Sequence, residues 1–268
     1  MRKLGFIGAG NMAGALVKGL LETKRYRPRD LWASDAESRQ SRRLARAHGV
    51  GTASDNATLV AGSEVVVLAV KPQVVDAVLA EIRQLVRRQL FVSIAAGVPT
   101  ARLETGLGGS ARVVRAMPNT PALVGTGITV LVRGRKATAA DERLATTLFG
   151  GVGEVVRVRD EALMDAVTGL SGSGPAYVYR FAEGLIEGAV AEGLPERTAR
   201  QLAYQTIRGA AVMLQETGRS PADLCAMVTS PGGTTLAGLQ TLEAREFAGI
   251  VAACVRAATR RSRELGRG

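Results

Sequence analysis

The chain has 268 residues, 46% hydrophobic and 4% aromatic, and its 35 Lys+Arg against 24 Asp+Glu give a net charge of +11. This length accommodates two domains with real cores, and no apolar run reaches membrane-spanning length. A single histidine, His48, excludes a Ser-His-Asp triad and a His-rich metal site.

The positive charge is compatible with a nucleic-acid binder. However, the basic residues are mostly Arg, scattered over helix-like segments such as Lys24 to Arg46 and Arg256 to Arg267, with few aromatics between them and no nucleic-acid motif. The expectation is a solvated surface that attracts anionic cofactors, with no nucleic acid and no membrane as partners. Cys225 and Cys254 form no CxxC pair and fall in helical patterns, so buried free thiols are expected, with no disulfide and no metal. Met1 to Gly8 runs directly into a strand and a glycine turn, without a signal-peptide apolar region or cleavage site. A cytoplasmic protein is expected.

Leu4 to Ile7 reads as a short apolar strand, followed by Gly8-Ala9-Gly10-Asn11-Met12-Ala13-Gly14 and an amphipathic helix through Leu16, Val17, Leu20 and Leu21. Gly8, Gly10 and Ala13 fit G-x-G-x-x-G/A. Gly8 makes the tight turn, Gly10 lets the backbone approach a pyrophosphate, and Ala13 lets the helix pack on the strand. A second strand, Asp30 to Ser34, ends in Ser34-Asp35 about 20 residues further on, as a dinucleotide fingerprint requires. Asp35 can hold a ribose diol, favouring NAD. Ser34 with Arg39, Arg42 or Arg43 can hold a 2′-phosphate, favouring NADP. His48 precedes Gly49 at an apparent helix end, a common capping position.

Asn56 to Ala61 is expected as a short helix and Glu64 to Val70 as a fully buried strand. Lys71-Pro72-Gln73 breaks that strand at its carboxyl end, where ligands bind in open α/β sheets, so Lys71 is either a cofactor contact or a solvent-facing turn residue. Leu90 to Ile94 is the next strand, with Ala95-Ala96-Gly97 as a small-residue turn at the same edge. Arg112 to Ala116 leads into the stiff loop Met117-Pro118-Asn119-Thr120-Pro121. Gly127 to Val132 and Glu154 to Val158, with a helix from Thr138 to Leu148 between them, complete a sheet of about eight strands.

From Glu161 onward the pattern is helical: Gly174 to Gly193, Pro195 to Thr217, Pro221 to Val228, Thr234 to Ala244 and Arg245 to Leu265. Ala203, Ile207, Ala210 and Leu214 space as one apolar face, and so do Phe247, Ile250, Val251, Cys254, Val255 and Ala258. About 105 residues of such helix make a thin core alone, so burial against another subunit is expected. Two domains follow: 1–159, a Rossmann-like doubly wound dinucleotide-binding domain, and 160–268, an all-helical dimerisation domain, to which the resemblance given below adds the substrate site.

Thr229-Ser230-Pro231-Gly232-Gly233-Thr234-Thr235 runs into one of these helices. Pro231 sets one φ and two glycines leave backbone N–H groups open, with Thr234 or Thr235 available as a cap. Open N–H groups at the positive end of a helix make an anion site, for a carboxylate as readily as a phosphate. An ordinary capped loop-to-helix junction would look the same.

Four stretches together carry a resemblance: Gly8 to Met12, Ala69-Val70-Lys71-Pro72, Ala166 to Tyr177 (AVTGLSGSGPAY), and Ser230 to Thr235 (SPGGTT). With Arg115 to Pro121 and Ser262 to Leu265, they make the chain resemble the pyrroline-5-carboxylate reductase family nearly end to end; the last two of the four are the specific ones. The resemblance implies a Rossmann-like domain followed by a helical domain that interlocks in a homodimer, in some members built up to a decamer. It places dinucleotide contacts on Ile7, Gly8, Ala9, Gly10, Asn11, Met12, Ser34, Asp35, Asn56, Ala69, Val70, Lys71, Pro72, Ala95, Ala96 and Gly97. It places the substrate, 1-pyrroline-5-carboxylate on its way to L-proline, on Ser230, Gly233, Thr234 and Thr235 with Glu161 nearby. An Asn common in the family three residues before Ser230 is Met227 here.

The chemistry fits these residues. The substrate carboxylate needs N–H donors, and the imine nitrogen gains a proton as hydride arrives at carbon, so the Thr235 hydroxyl is the candidate catalytic group, orienting and polarising with water as proton source. Ser34, the nearby arginines and the resemblance favour NADP(H), with NAD(H) possible through Asp35. A β-hydroxyacid dehydrogenase would place a catalytic Lys in G-x-x-G-x-G-x-x-x-K. Gly169, Gly172 and Gly174 fit that pattern, but the Lys position is Val178. An imine reductase of different substrate range and a non-catalytic dinucleotide-sensing protein are the remaining alternatives.

Overall fold

The computed structural model of the chain describes residues 3–267. The strands are β1 (Leu4–Ile7), β2 (Leu31–Ser34), β3 (Gly51–Thr52), β4 (Val65–Leu68), β5 (Leu90–Ser93), β6 (Arg112–Pro118), β7 (Gly127–Arg133) and β8 (Gly153–Arg157). They form one eight-stranded sheet in the order β3-β2-β1-β4-β5-β6-β7-β8. Strands β1 to β6 pair in parallel, so their connections cross over by helices: α1 (Asn11–Glu22), α2 (Ser38–His48), α3 (Asn56–Ala61), α4 (Val75–Ile82) and α5 (Thr100–Gly106). The link from β6 to β7 has no crossover helix, and β7 accordingly runs antiparallel to β6. After α6 (Ala139–Phe149), β8 runs parallel to β7.

Strand β4 shows why the inner strands read as unbroken apolar runs. Val65 and Val67 enter the core on one face of the sheet with Leu16, Leu20 and Phe149, while Val66 and Leu68 enter the core on the other face with Leu79, Ile82 and Leu103. Covered on both faces, such a strand has no polar side. The Gly49 position after α2 has φ +71°, the left-handed cap expected after His48.

The helical part comprises α7 (Met164–Val167), one π turn (Thr168–Gly172), α8 (Gly174–Ala191), α9 (Glu196–Glu216), α10 (Pro221–Met227), α11 (Thr234–Ala244) and α12 (Phe247–Arg267). At the π turn Ser173 N–H donates to the Thr168 carbonyl at 2.9 Å. Pro175 just beyond has no N–H to continue the regular ladder. By contact density, Gly174–Val255 is one compact unit and the rest of the chain, including the end of α12, is the other. This packing division differs from the 159/160 boundary expected from pattern. Met164 is fully buried beside Val130 and Val132 of the sheet, and Ser262 Oγ donates to Asp165 Oδ1 at 2.6 Å. Residues just past 160 therefore pack with the sheet although they are helical.

Within Gly174–Val255 only Ala182, Ala199 and Ala203 are buried among hydrophobic residues, whereas Tyr179, Phe181, Leu202, Tyr204, Leu214 and Ile250 are all exposed. The two apolar faces read from spacing are thus largely uncovered in a single chain. Cys225 is half-buried and Cys254 exposed, both free, which corrects the expectation of buried thiols. Burying one large apolar side chain contributes about 1.5–3 kcal/mol, so these helices gain much from a second copy. Light scattering at micromolar concentration should therefore give a homodimer or a multiple of it, with a melting temperature that rises with protein concentration. A monodisperse monomer would contradict this.

Candidate active site

In-register pairing sets Ile7, Ser34, Leu68, Ser93 and Arg115 in one row across the sheet, at the carboxyl edge of the parallel strands. The chain leaves β1 for β2 on one side while β4 lies on the other, so the loop after β1 sits at the topological switch point where such sheets bind ligands. Gly8 has φ +97°, and a Cβ there would lie 2.5 Å from the Ala69 carbonyl oxygen. Only glycine makes this turn. Gly10 is the N-cap of α1 with φ −74°, and a Cβ built on it meets nothing within 4 Å. The first turn of α1 carries no acidic residue, and no side chain caps it. Its leading N–H groups and the positive helix end are thus open to a phosphate. Ala13 is buried against the sheet, as its place in the fingerprint requires.

Other expected cofactor residues surround this edge. Ile7 is buried and can contact a ligand only through its backbone, whereas Asn11 is exposed and Met12 half-buried. Asp35 accepts the Ala9 N–H at 2.8 Å and the Glu37 N–H at 2.9 Å, which ties its carboxylate to the glycine loop. Ser34 is buried and donates to Asn56 Oδ1 at 2.7 Å, and Asn56 donates onward to Glu81 at 2.7 Å. Ala69 and Val70 are half-buried, Lys71 is exposed, and Pro72 opens a 3-10 turn. Ala95 is buried and Ala96 half-buried. At Gly97, φ is +76° and a Cβ would come within 3.2 Å of Leu265, so the end of α12 closes on this turn. A cavity of about 320 Å³ lies between α1 and α2, lined by Gly10, Asn11, Lys18 and Arg43 among others.

Glu161 does not stand free. Its carboxylate accepts the Thr100 N–H at 2.8 Å and the Thr100 hydroxyl at 2.5 Å, so it caps the start of α5. It also pairs with the buried Arg115 at 3.0 Å. Arg115 Nη2 has no partner among the described residues.

In the helical unit, the Gly233 N–H donates to the Ser230 carbonyl at 3.0 Å, and Gly232 has φ +71°. Ser230-Pro231-Gly232-Gly233 thus closes as a turn with proline second and glycine third, as the residue types dictate. Gly233 is the N-cap of α11, and no side chain caps that helix. This corrects the expectation that Thr234 or Thr235 caps it: both lie inside the first turn, one and two positions past the cap. Thr234 is exposed and Thr235 half-buried, and neither hydroxyl has a hydrogen-bond partner among the described residues. The leading N–H groups of α11 face no acidic residue in its first turn. Among the described residues no group of His, Cys, Asp and Glu could hold a metal ion, and no helix is long and apolar enough to cross a membrane.

A glycine turn and open helix start at the switch point of a doubly wound sheet, followed by a helical C-terminal region, define a Rossmann-type dinucleotide-dependent oxidoreductase. The family model described as pyrroline-5-carboxylate reductase dimerisation matches residues 161–265, and the one described as NADP oxidoreductase, coenzyme F420-dependent, matches residues 3–97. The chain is 43% identical to a pyrroline-5-carboxylate reductase of Methanosarcina acetivorans, over 99% of this chain and 98% of the relative. Its fold matches the structure of a pyrroline-5-carboxylate reductase from Coxiella burnetii with a TM-score of 0.92 at 37% identity, covering 98% of each chain. It also matches the Plasmodium falciparum pyrroline carboxylate reductase with NADP bound, with a TM-score of 0.89 at 32% identity, over 99% of this chain and 98% of that one. This chain belongs to the pyrroline-5-carboxylate reductase family.

Proposed function

We propose that this protein reduces the C=N bond of 1-pyrroline-5-carboxylate to give L-proline, the last step of proline synthesis. It works in the cytoplasm as a homodimer that assembles to a decamer. Residues 1–159 serve as the dinucleotide domain and 160–268 as the dimerisation and substrate domain. The observation that carries the reading is the start of α11, with unpartnered N–H groups and an uncommitted Thr235 hydroxyl in the family's own Ser-Pro-Gly-Gly-Thr-Thr sequence.

The substrate carboxylate takes the N–H groups of Thr234 and Thr235, with Ser230 and Gly233 holding the turn through the Gly233 N–H and the Ser230 carbonyl. The Thr235 hydroxyl donates to the imine nitrogen and orients it, and water supplies the proton that the nitrogen gains. The family resemblance also assigns Glu161 to the substrate, and its carboxylate is held by Thr100 and Arg115. A bound reduced nicotinamide cofactor would supply the hydride that the imine carbon takes; the N–H groups of Gly10, Asn11 and Met12 would hold its phosphates, with Gly8 and Ala9 shaping the loop, and the turns at Ala69 to Pro72 and Ala95 to Gly97 would flank it. Reduced cofactor mixed with protein and 1-pyrroline-5-carboxylate should lose its nicotinamide absorbance as proline forms. No loss of absorbance overturns the reading.

For the cofactor we infer NADP(H). Asp35 already accepts two backbone N–H groups, and Ser34 acts through Asn56, which leaves Arg39, Arg42 and Arg43 at the start of α2 for a 2′-phosphate. One charge-assisted contact corresponds to about 10- to 100-fold. NADPH should exceed NADH in kcat/KM by about that factor; a large advantage for NADH would show that Asp35 dominates.

A further inference from the structure

The β7 and β8 ends make a second feature of the sheet. Both strands run opposite to β6, so they finish at the amino edge of the parallel strands, away from the glycine loop's edge. There Arg133, Arg135, Arg157 and Arg159 line a pocket of about 600 Å³ with a single carboxylate, Glu142, in its wall. The placement follows from pairing. Arg157 is registered with Leu131, and Arg133 lies two residues beyond Leu131, so both point to one face of the sheet.

Two carboxylates at this edge engage the cluster, Glu104 through Arg135 and Glu142 through Arg133, and the others are committed elsewhere. Glu104 takes the Arg135 N–H at 2.6 Å and its Nε at 3.3 Å, and Asp141 pairs with Arg112 at 2.5 Å and closes the Thr138 cap of α6. Asp160 accepts the Ala162 N–H, and Glu142 reaches Arg133 only at 3.7 Å. Arg157 and Arg159 pair with no carboxylate among the described residues.

We propose that this pocket is a binding site for a small oligophosphate anion. Four guanidinium groups share one concavity, two of them paired with the carboxylates Glu104 and Glu142, and a multiply charged anion removes the repulsion left among them, chiefly at Arg157 and Arg159. Planar guanidinium forks match phosphate oxygens in pairs, and no aromatic side chain lines the pocket to stack a base, so the phosphate chain itself is recognised.

The test is calorimetric titration of tripolyphosphate into the enzyme saturated with its reduced cofactor, which keeps the titrant from the glycine loop. At about 0.15 M salt, where screening sets in beyond about 8 Å, saturable binding with one site per chain is expected. The double change Arg157→Ser and Arg159→Ser should weaken it roughly tenfold or more, while Arg25→Ser, an exposed arginine elsewhere on the same unit, leaves it unchanged. Arg159→Ser alone lies beyond the strand and gives the same direction if the double variant fails to fold. Absence of saturable binding, or equal affinity in the pocket variants, overturns the proposal. Neither result depends on the imine reduction.

Discussion

Gly10→Val should leave this protein folded and deprive it of its dinucleotide. Gly10 has the negative φ any residue adopts, it is exposed, and a Cβ there enters open space. Valine therefore costs the fold little. That same open space is where a pyrophosphate must approach the N–H groups of α1, and two methyl groups fill it. A loss of affinity of roughly a hundredfold or more is expected, equivalent to about 2.8 kcal/mol. Gly8→Ala is the contrast. With φ +97° and the Ala69 carbonyl at 2.5 Å, it should lower the melting temperature as well as binding. Fluorescence titration of the reduced cofactor together with a melting curve separates the two. Normal cofactor affinity in folded Gly10→Val would remove the assignment of this loop.

Thr235→Ala should lower kcat by roughly 10–1000-fold, the range for losing one hydrogen-bond donor that acts in the transition state. The structure sharpens the expectation for stability. A helix cap contributes about 1 kcal/mol, but Gly233 is the N-cap of α11 and Thr235 caps nothing. The melting temperature should thus be nearly unchanged. Cofactor affinity should barely move, since the assigned dinucleotide contacts lie in the other domain. Thr234→Ala should cost less turnover, because its assigned contribution is its backbone N–H. Melting temperature and kcat measured on the same Thr235→Ala sample decide the matter: reduced stability with normal turnover would refute the catalytic role.

Local rules made much of this chain legible. The glycine loop was readable because Gly8 and Ala13 each answer a separate steric demand of one turn, and both demands are met, while Gly10 leaves the space before α1 open. The turn at Ser230 to Gly233 was readable for the same reason. The cap was misread because Ser and Thr are strong capping types, and a shift of one or two residues along the chain turns a cap into an uncommitted hydroxyl. Glu161 shows a second kind of blindness. Its partners, Thr100 and Arg115, are distant in sequence, so nothing near residue 161 reports that its carboxylate is already engaged.

The sequence by itself determined most of the strands and helices, the order of a doubly wound sheet followed by helices, the glycine loop and the family, because each rests on residue type at short spacing. Only the tertiary structure decided that Asp35 folds back on the glycine loop and that the start of α7 belongs to the sheet's core. It also decided that four arginines from two strand ends share one pocket. These are meetings of segments far apart in the chain. They follow from strand order and direction, with β7 reversed beside β6, which no local pattern of side chains encodes.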